Sequence, residues 1–343
     1  MENRTEIASL GEFRLIEHLT KNIEFQNASS ILGVGDDAAV IDHFGKQTVV
    51  TTDLLLEGIH FDLMYTPLKH LGYKSVVVNL SDVYAMNAQP TQITLSIGIS
   101  NRFSVEALNE FYEGVYVACE KYGVDLIGGD TSSSLKGFVI SVTALGEVVP
   151  DQLVKRSTAQ KGDLICVSGD LGAAFLGLTL MEREKKIYQE NPNIQPDLEN
   201  ESYIVGRLLK PEARKDIIQF FADNNILPTS MMDVSDGISS EVLHLCQQSN
   251  LGCKLYEEKL PIADLTRQAA FKFGLDPTVC ALNGGEDYEL VFTLKQEDHD
   301  KIVLNEEISV IGYMTDVEEG QKIMTKGGNL HPLTAQGWNA FNQ

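Results

Sequence analysis

Short aspartate segments recur along this chain, and most of them directly follow an apolar run. They are Gly33-Val34-Gly35-Asp36-Asp37, Thr51-Thr52-Asp53, Asn79-Leu80-Ser81-Asp82, Gly128-Gly129-Asp130-Thr131, Asp233-Val234-Ser235-Asp236-Gly237 and Gly284-Gly285-Glu286-Asp287. A carboxylate beside a buried strand is costly unless a cation neutralises it. No set of lysines or arginines accompanies these segments, so we expect a hard metal ion to neutralise them. Oxygen-only ligands favour magnesium, and clustered magnesium usually holds a phosphate chain.

The length of the chain sets its domain organisation. A chain of 343 residues is too long for one ordinary core, so two domains are expected. Pro150 follows a strand-like run and marks the expected boundary between residues 1–150 and 151–343. Helix-like and strand-like apolar patterns alternate in both halves, which predicts the α/β fold class.

These patterns also predict individual elements. Residues 182–202 are polar and are expected to form a helix end and an exposed loop. Gly128-Gly129 on its own is typical of a turn. The expected helices cover residues 10–21, 67–87, 105–122 and 212–224, and the expected strands cover 38–41, 48–52, 93–99, 138–145, 163–167, 289–294 and 308–313.

The formal net charge of −22 repels nucleic acid and anionic lipid, so neither is expected as a partner. The same charge repels a nucleotide, and a protein of this kind that handles phosphates needs divalent cations to reverse the local field. Simple solubility explains the charge equally well when it is considered alone. The charge therefore gains meaning only together with the aspartate segments.

The location of the protein is predicted from what its sequence lacks. It contains no run of eighteen apolar residues, so no membrane span is expected. The first residues lack the apolar core of a secretory signal, which favours the cytoplasm. The five cysteines are scattered without a Cys-x-x-Cys pair, which argues against a disulfide framework.

The segments around residues 51 and 82 offer oxygen ligands. Thr51, Thr52 and Asp53 can present two hydroxyls and a carboxylate to one or two cations, or Asp53 can simply cap the next turn. In the helical segment 75–86, the i,i+3 spacing places Asn79 and Asp82 on one side, facing the proposed cluster or solvent.

The other segments differ in how specific they are. The glycine pair before Asp130 can approach a phosphate closely, although a plain turn explains it in isolation. Asp233, Ser235 and Asp236 stand at an apparent helix start, where N-capping accounts for only one of the two carboxylates. A lone histidine such as His60 is more often structural than functional, but it lies close to Asp53 in sequence.

Several known phosphate-binding and catalytic patterns are missing from the sequence. It contains no Gly-x-x-x-x-Gly-Lys-[Ser/Thr] loop, no protein-kinase His-Arg-Asp pattern and no His-Glu-x-x-His zinc pattern. Gly33 and Gly35 are not followed by the third glycine of a dinucleotide fingerprint. Phosphate chemistry here would therefore depend on metal ions rather than on a loop lysine.

Taken in order, the motifs resemble those of the thiamine-monophosphate kinase family, within the superfamily that includes aminoimidazole ribonucleotide synthetase. The resemblance covers nearly the whole chain, from Gly11 to the aromatic tail, and an ordered set of motifs is far more specific than any single motif. The motifs are Gly-x-Gly-Asp-Asp-Ala, Thr-Thr-Asp to Glu-Gly-x-His-Phe, Asn-Leu-Ser-Asp, Leu-Ile-Gly-Gly-Asp-Thr, Asp-x-Ser-Asp-Gly and Gly-Gly-Glu-Asp-Tyr-Glu-Leu. One departure is Met86-Asn87-Ala88, where the family usually has a glycine before the alanine.

The resemblance implies transfer of the γ-phosphoryl group of ATP to thiamine monophosphate, giving thiamine diphosphate and ADP. It implies two α/β domains with mixed sheets and a homodimer that pairs N-terminal sheets. Residues 1–150 would bind ATP and magnesium and form the dimer, and residues 151–343 would complete the nucleotide and substrate site.

The resemblance also assigns roles to individual residues. Arg156 could equally be a surface arginine, Tyr112 a packing residue and Trp338 a hydrophobic anchor of the tail. The implied magnesium ligands are Asp37, Thr51, Thr52, Asp53, Asp82, Asp130, Asp233 and Asp236; the implied ATP contacts are Tyr112, Gly129, Asp130, Arg156 and Ser235; the implied thiamine contacts are His60, Glu286 and Trp338.

This chemistry needs no covalent intermediate and no general base. The attacking phosphate oxygen is already anionic near neutral pH, and the barrier is mainly repulsion and alignment. Among related enzymes, selenophosphate synthetase would carry a reactive cysteine near its start, but the first cysteine here is Cys119. The hydrogenase-maturation relative would end in a cysteine-bearing tail, which is missing here. A non-catalytic metal-binding or nucleotide-sensing protein with the same fold remains an alternative.

Overall fold

The computed structural model describes residues 30–32, 35–43, 45–100 and 103–337. Within these ranges the chain forms two sheets, each combining parallel and antiparallel strand pairs. The predicted α/β fold class is therefore confirmed. The helix predicted over residues 10–21 lies outside the described residues.

The first sheet has the strand order β1-β2-β3-β6-β4-β5. Helices α1 and α2 pack together, and their apolar residues share one core with the inner face of this sheet. The elements are β1 Ser30–Leu32, β2 Ala39–His43, β3 Lys46–Leu56, α1 Leu68–Ala85, β4 Gln89–Ile99, α2 Val105–Tyr122, β5 Asp125–Ser133 and β6 Val139–Val148.

Local sequence explains the limits of α2. The Ser104 hydroxyl accepts a hydrogen bond from the Ala107 backbone N–H, which caps the first turn. Gly123 ends the helix in a left-handed conformation with φ 71°, which glycine adopts without steric cost. The prediction of a helix over residues 105–122 is confirmed at both ends.

The second sheet has the order β13-β12-β9-β11-β7-β10-β8 and carries its own buried apolar clusters. The strands β7, β10 and β8 at one end of this order are almost wholly buried. The elements are β7 Leu164–Ser168, α3 Ala173–Glu190, α4 Ser202–Leu209, α5 Lys215–Asp223, β8 Ser230–Asp233, α6 Ile238–Ser249, β9 Gly252–Tyr256, α7 Asp264–Lys272, α8 Pro277–Asn283, β10 Leu290–Leu294, α9 His299–Ile302, β11 Ile308–Thr315, β12 Gln321–Met324 and β13 Leu330–Pro332.

One part of the chain differs from the prediction. Gly128 and Gly129 do not form a turn, because β5 runs straight through them and pairs in parallel with β4. A Cβ on Gly129 would lie 1.8 Å from the Leu95 carbonyl oxygen, so glycine is needed for this strand pairing. Helix α3 ends at Glu190 and an exposed loop follows it, so the helix end and loop predicted within residues 182–202 are confirmed.

Over the part of the chain that the structure describes, none of the helices is long and apolar enough to traverse a lipid bilayer.

Candidate functional site

Three carboxylates from distant parts of the chain meet where helix α1 contacts strand β8 of the second sheet. Asp37 precedes β2, Asp82 lies on α1, and Asp233 ends β8. One oxygen from each side chain lies within 4.8 Å of the other two. We call Asp37, Asp82 and Asp233 the acidic triad. It joins both halves of the molecule, because β8 belongs to the second sheet.

Strand β3 and helix α1 hold the first-domain side of this site. The Thr51 hydroxyl donates to Asp82 Oδ2 at 2.6 Å. The Asn79 side-chain oxygen accepts from the Asp53 backbone N–H at 3.0 Å. Asn79 and Asp82 therefore both face β3, as expected from their i,i+3 spacing on a helix.

The carboxylates of this region repel one another inside a poorly solvated space. Burial, followed by the charge of Glu286, raises the pKa of Asp53 to about 6. Burial and the nearby Asp233, Asp53 and Asp37 raise the pKa of Asp82 well above its usual value. Burial and then Asp37 also raise the pKa of Asp233. These shifts show that the site stabilises negative charge poorly without a cation.

The acidic triad fits magnesium by the chemistry of its donors. Mg²⁺ prefers hard oxygen ligands and is often held by one or two carboxylates together with substrate phosphates. Asp37, Asp82 and Asp233 supply only carboxylate oxygens, and these converge within 4.8 Å. The mutual repulsion that raises the pKa of Asp82 would be offset by a divalent cation.

A cavity of about 520 Å³ opens beside the acidic triad. Asp53 lines it, so this carboxylate lies between the triad and the cavity. The residues that line it combine acids, two lysines and an apolar wall. They are Asp53, Gly58, Ile59, His60, Phe61, Asp62, Tyr65, Thr66, Lys74, Leu178, Glu182, Lys185, Leu208, Leu209, Ser235, Asp236, Gly284, Glu286 and Tyr288.

The turn between Gly284 and Glu289 brings the second domain to the cavity. Glu286 and Tyr288 have left-handed backbones with φ 61° and 51°, a strained conformation that often occurs at functional sites. The Glu286 N–H donates to the Ser235 carbonyl at 2.7 Å, and the Tyr288 N–H donates to the Val234 carbonyl at 2.9 Å. These bonds place Glu286 beside the segment that follows Asp233.

The sequence-based premise that no lysine or arginine accompanies the carboxylates is wrong. The Arg156 guanidinium forms a bidentate pair with Asp37, with Nε donating to Oδ2 at 2.9 Å and Nη2 to Oδ1. Lys74 Nζ pairs with Glu286. These cations are distant in sequence from their partners, so a search of neighbouring residues could not detect them.

A second group of charges supports the turn rather than the cavity. Glu289 is 1% exposed and accepts from Arg207 Nη2 at 2.8 Å, from Ser168 Oγ at 2.6 Å and from Arg214 Nη1. Asp287 Oδ2 accepts from the Gly172 N–H at 2.9 Å, at the start of α3. Sequence reasoning missed these partners as well.

Glu241 is another residue that the sequence analysis did not single out. It is 1% exposed in the first turn of α6, and its Oε1 accepts from the Asp236 N–H at 2.8 Å. Burial and then Asp236 raise the pKa of Glu241 well above its usual value. Its position four residues after Gly237, the last residue of the Asp233-Val234-Ser235-Asp236-Gly237 motif, was the available signal, because helix starts often pair an acid in the first turn with preceding N–H groups.

The structure does not bring every predicted ligand to the triad. Thr52 points to the opposite face of β3 from Thr51 and Asp53, and its hydroxyl donates to the Val142 carbonyl at 3.0 Å. The two-residue period of a strand could have separated these side chains in advance.

Asp130 is also remote from the triad in this chain. In the strand register, Asp130 of β5 is aligned with Ser96 of β4, Ser141 of β6 and Leu54 of β3. Leu54 and Thr52 are two residues apart on β3, so Asp130 lies on the same sheet face as Thr52. Three strand spacings, about 14 Å in all, separate its strand from that of Asp53. Gly129 lies beside it on the exposed strand β5.

Of the remaining predicted ATP and thiamine contacts, some line the cavity and one packs on helix α2. Ser235 and Asp236 line the cavity, and so does His60, whose Nδ1 accepts from the Leu56 N–H at 3.0 Å. Tyr112 packs edge-on against Phe111 on α2 at 5.8 Å, as the packing alternative expects. Trp338 lies outside the described residues.

Comparison with known proteins agrees with this architecture. The family described as AIR synthase related protein matches with its N-terminal domain at residues 35–148 and its C-terminal domain at residues 160–324. Thiamine-monophosphate kinase of Aquifex aeolicus is 34% identical over 335 residues, covering 98% of this chain and 99% of the relative. The protein of the same name from Bacillus subtilis is 30% identical, covering 97% of this chain and 100% of the relative. A structure described as AaThiL complexed with AMPPCP and TMP has a TM-score of 0.83 and 31% identity, covering 98% of this chain and 99% of its own.

Proposed function

This chain belongs to the thiamine-monophosphate kinases of the AIR synthase-related family, and we propose that it catalyses the ATP-dependent phosphorylation of thiamine monophosphate to thiamine diphosphate by direct, in-line transfer. ATP supplies its γ-phosphoryl group, and ADP leaves. The observation that supports this mechanism is the convergence of the acidic triad beside a cavity lined by Asp53, His60 and Glu286.

The two parts of the site suit the two substrates. The triad and Asp53 would hold magnesium and through it the phosphate groups, while the adjoining cavity would hold the thiamine portion. Bound magnesium supplies charge neutralisation and fixed geometry for the phosphates. A similar protein was solved with both AMPPCP and TMP bound, which supports placing nucleotide and acceptor in one chain.

The side chains contribute by binding and alignment rather than by covalent chemistry. The acceptor phosphate oxygen is already anionic, so no residue has to remove a proton from it. Alignment of donor and acceptor in a partly closed cavity supplies most of the acceleration in such reactions. His60, Glu286 and, from the tail, Trp338 would contact the thiamine moiety, and Arg156 and Ser235 would contact ATP.

The resting position of Arg156 suggests how it takes part. Its guanidinium pairs with Asp37 of the triad, and its Nε lies 3.7 Å from Asp36 Oδ1. Because magnesium would compensate Asp37, the guanidinium would become available to the nucleotide phosphates. Arginine suits this role because its planar group can donate two parallel hydrogen bonds to a phosphate.

We also propose a homodimer that pairs N-terminal sheets, with residues 1–150 forming the dimerisation and ATP-binding domain and residues 151–343 completing the site. The supporting observation is β5, an exposed edge strand whose residues are nearly all open to solvent. Exposed edges favour pairing with another strand. In such a dimer, the partner subunit would supply the neighbouring groups with which Gly129, Asp130 and Tyr112 bind ATP.

The reaction would take place in the cytoplasm. All five cysteines are free and buried, which is usual in a reducing compartment.

The test is direct assay of the purified protein with Mg²⁺, ATP and thiamine monophosphate. Chromatography should detect thiamine diphosphate and ADP in equal amounts, and omission of thiamine monophosphate should abolish ADP release. Asp82→Asn should lower kcat at least about 100-fold, because it removes one charge from the triad while keeping an acceptor for Thr51.

Asp42→Asn is the matched control, because Asp42 is an exposed carboxylate of the same sheet. It should retain wild-type activity. Binding of ATP without any thiamine diphosphate formation would contradict the proposal and favour a nucleotide-binding protein that lacks the kinase reaction.

A further inference from the structure

Lys74 is a buried cation at the cavity that no sequence motif singled out. It lies on α1, is 4% exposed and lines the cavity. Its Nζ donates to the Leu208 carbonyl at 3.1 Å and pairs with Glu286 Oε2. An ammonium group is costly to bury, so this placement needs compensating partners.

Glu286, the partner of Lys74, is held from two sides. Its Oε1 accepts from the Tyr288 hydroxyl at 3.3 Å, and its Oε2 pairs with Lys74. The left-handed backbone of Glu286 and the bond from its N–H to Ser235 fix the direction of the side chain. The carboxylate is therefore presented to the cavity in a defined orientation.

The second lysine of the cavity has different partners. Lys185 pairs with Asp62 at 2.6 Å and with Glu182 at 3.2 Å, and its side chain is 21% exposed. The Lys74 side chain is 6% exposed. Lys74 is thus the more deeply buried of the two lysines that line the cavity, and its carboxylate partner is Glu286.

Helix α1 relates Lys74 to the acidic triad. Asp82 follows Lys74 by eight residues, which corresponds to about 12 Å along a helix and to a rotation of about 80° around it. Asp53 lies between them, because its N–H is bonded to Asn79 of the same helix and its side chain lines the cavity. A group held at Lys74 would therefore face the metal-binding end of the site.

We propose that the Lys74–Glu286 pair recognises the acceptor as a zwitterion, with Lys74 binding its phosphate and Glu286 facing its cationic ring. This inference rests on the proposed function. Thiamine monophosphate carries a positive thiazolium joined by a short chain to a phosphate dianion. A neighbouring ammonium and carboxylate in the cavity provide the complementary pair of charges.

The proposed pair explains selectivity for the acceptor. A phosphate ester that lacks a cationic ring would offer no ligand charge to Glu286, and thiamine without phosphate would offer none to Lys74. Leaving a buried charged group without its partner weakens binding considerably. The two residues therefore make separable contributions that depend on different parts of the acceptor.

Two variants and two ligands test this inference. In calorimetric titrations without nucleotide, Lys74→Met should weaken binding of thiamine monophosphate about tenfold or more, while thiamine binding stays within about threefold or becomes tighter. Glu286→Gln should weaken binding of both ligands, because both carry the thiazolium. In the kinase assay, Lys74→Met should raise KM for thiamine monophosphate and leave KM for ATP within about threefold.

Lys69→Met is the matched control, since Lys69 is a half-exposed lysine of the same helix that pairs with Glu113. It should match the wild type. If Lys74→Met does not fold, the same binding and kinetic measurements are made on Lys74→Gln. Glutamine keeps a donor for the Leu208 carbonyl and removes the charge.

The outcomes separate this inference from the proposed function. Equal losses of thiamine and thiamine monophosphate binding in the Lys74 variants, or no loss of either, would overturn the role of Lys74 while leaving an active wild-type kinase intact. Failure of the wild-type protein to form thiamine diphosphate would overturn the proposed function itself.

Discussion

At the scale of single residues, Arg156 shows how strongly burial and neighbouring charges determine the pKa of a side chain. Burial opposes its charge, but Asp37 and Asp36 outweigh that cost and raise the pKa of the guanidinium further. Asp37 in turn keeps a raised pKa, because burial dominates even beside Arg156. The charged form of each group is unfavourable in this buried position without its partner. Such pairs are typical of sites where a charged ligand can replace one of the partners.

Arg156 also affects His244, and this gives a pH prediction. Burial and then the charge of Arg156 lower the pKa of His244 from 6.5 to about 4. The unfolded chain therefore binds a proton before the folded chain does, and stability is lost as the pH falls from 6.5 towards 4. We expect His244→Gln to reduce this loss by roughly 1 to 2 kcal/mol at pH 5, measured by urea unfolding at pH 7 and pH 5.

The exposed His331 of β13 provides the control for this comparison. His331→Gln should retain the pH dependence of the wild type. If His244→Gln and the wild type lose the same free energy of unfolding between pH 7 and pH 5, the partly buried His244 is not the cause.

At the scale of elements, the crossing of α1 and α2 depends on two glycines. A Cβ on Gly72 of α1 would lie 1.9 Å from the Phe111 carbonyl oxygen, and a Cβ on Gly114 of α2 would lie 1.9 Å from the Lys69 carbonyl oxygen. Both contacts are with backbone, which cannot move aside as a flexible side chain can. The helices can approach this closely only because both positions lack side chains.

We therefore expect Gly72→Ala and Gly114→Ala each to destabilise the protein by about 1 to 3 kcal/mol. Displacement of α1 should also lower kinase activity, because this helix carries Lys74, Asn79 and Asp82. Thermal unfolding and the kinase assay measure the two effects.

Gly206 of α4 is the control, because no atom lies within 4 Å of a Cβ built there. Gly206→Ala should be neutral or stabilising by up to about 1 kcal/mol, as expected for an exposed helical glycine. Similar effects from all three substitutions would show that close packing of α1 on α2 is not responsible.

At the scale of the whole molecule, the triad and the neighbouring Asp53 bring carboxylates from both sheets close together. The free energy that this repulsion takes from folding depends on pH. Asp53, Asp82 and Asp233 have pKa values above those of the unfolded chain, chiefly because they are buried near one another. The contribution of these raised pKa values to stability is therefore complete below about pH 4 and is lost as the pH rises, through about 6 for Asp53 and about 7 for Asp233. A divalent cation would remove this loss.

We expect the increase in melting temperature caused by Mg²⁺, relative to a chelator, to be larger at pH 8 than at pH 5.5. Differential scanning fluorimetry at both pH values measures this increase, and the effect of His244 cancels because each comparison is made at one pH. Asp82→Asn should diminish the increase at pH 8. A magnesium effect of the same size at both pH values would contradict this account of the triad.

Local sequence predicted the elements and the chemistry of the site in outline. The cap at Ser104 and the glycine at 123 set the limits of α2, because capping bonds form within a few residues. The aspartate segments predicted carboxylates that need a cation, since desolvation of charge is unfavourable in any fold. The turn predicted at Gly128-Gly129 was wrong, because strand pairing with β4 outweighs the local preference of glycine for turns.

Only the tertiary structure decided which charges meet. Asp233 lies within 4.8 Å of Asp37 and Asp82 although about 150 residues or more separate them in the chain. Lys74 and Arg156 likewise find Glu286 and Asp37 across the domains. Electrostatic interaction depends on distance in space and on solvent exposure, and both are set by packing rather than by the order of residues.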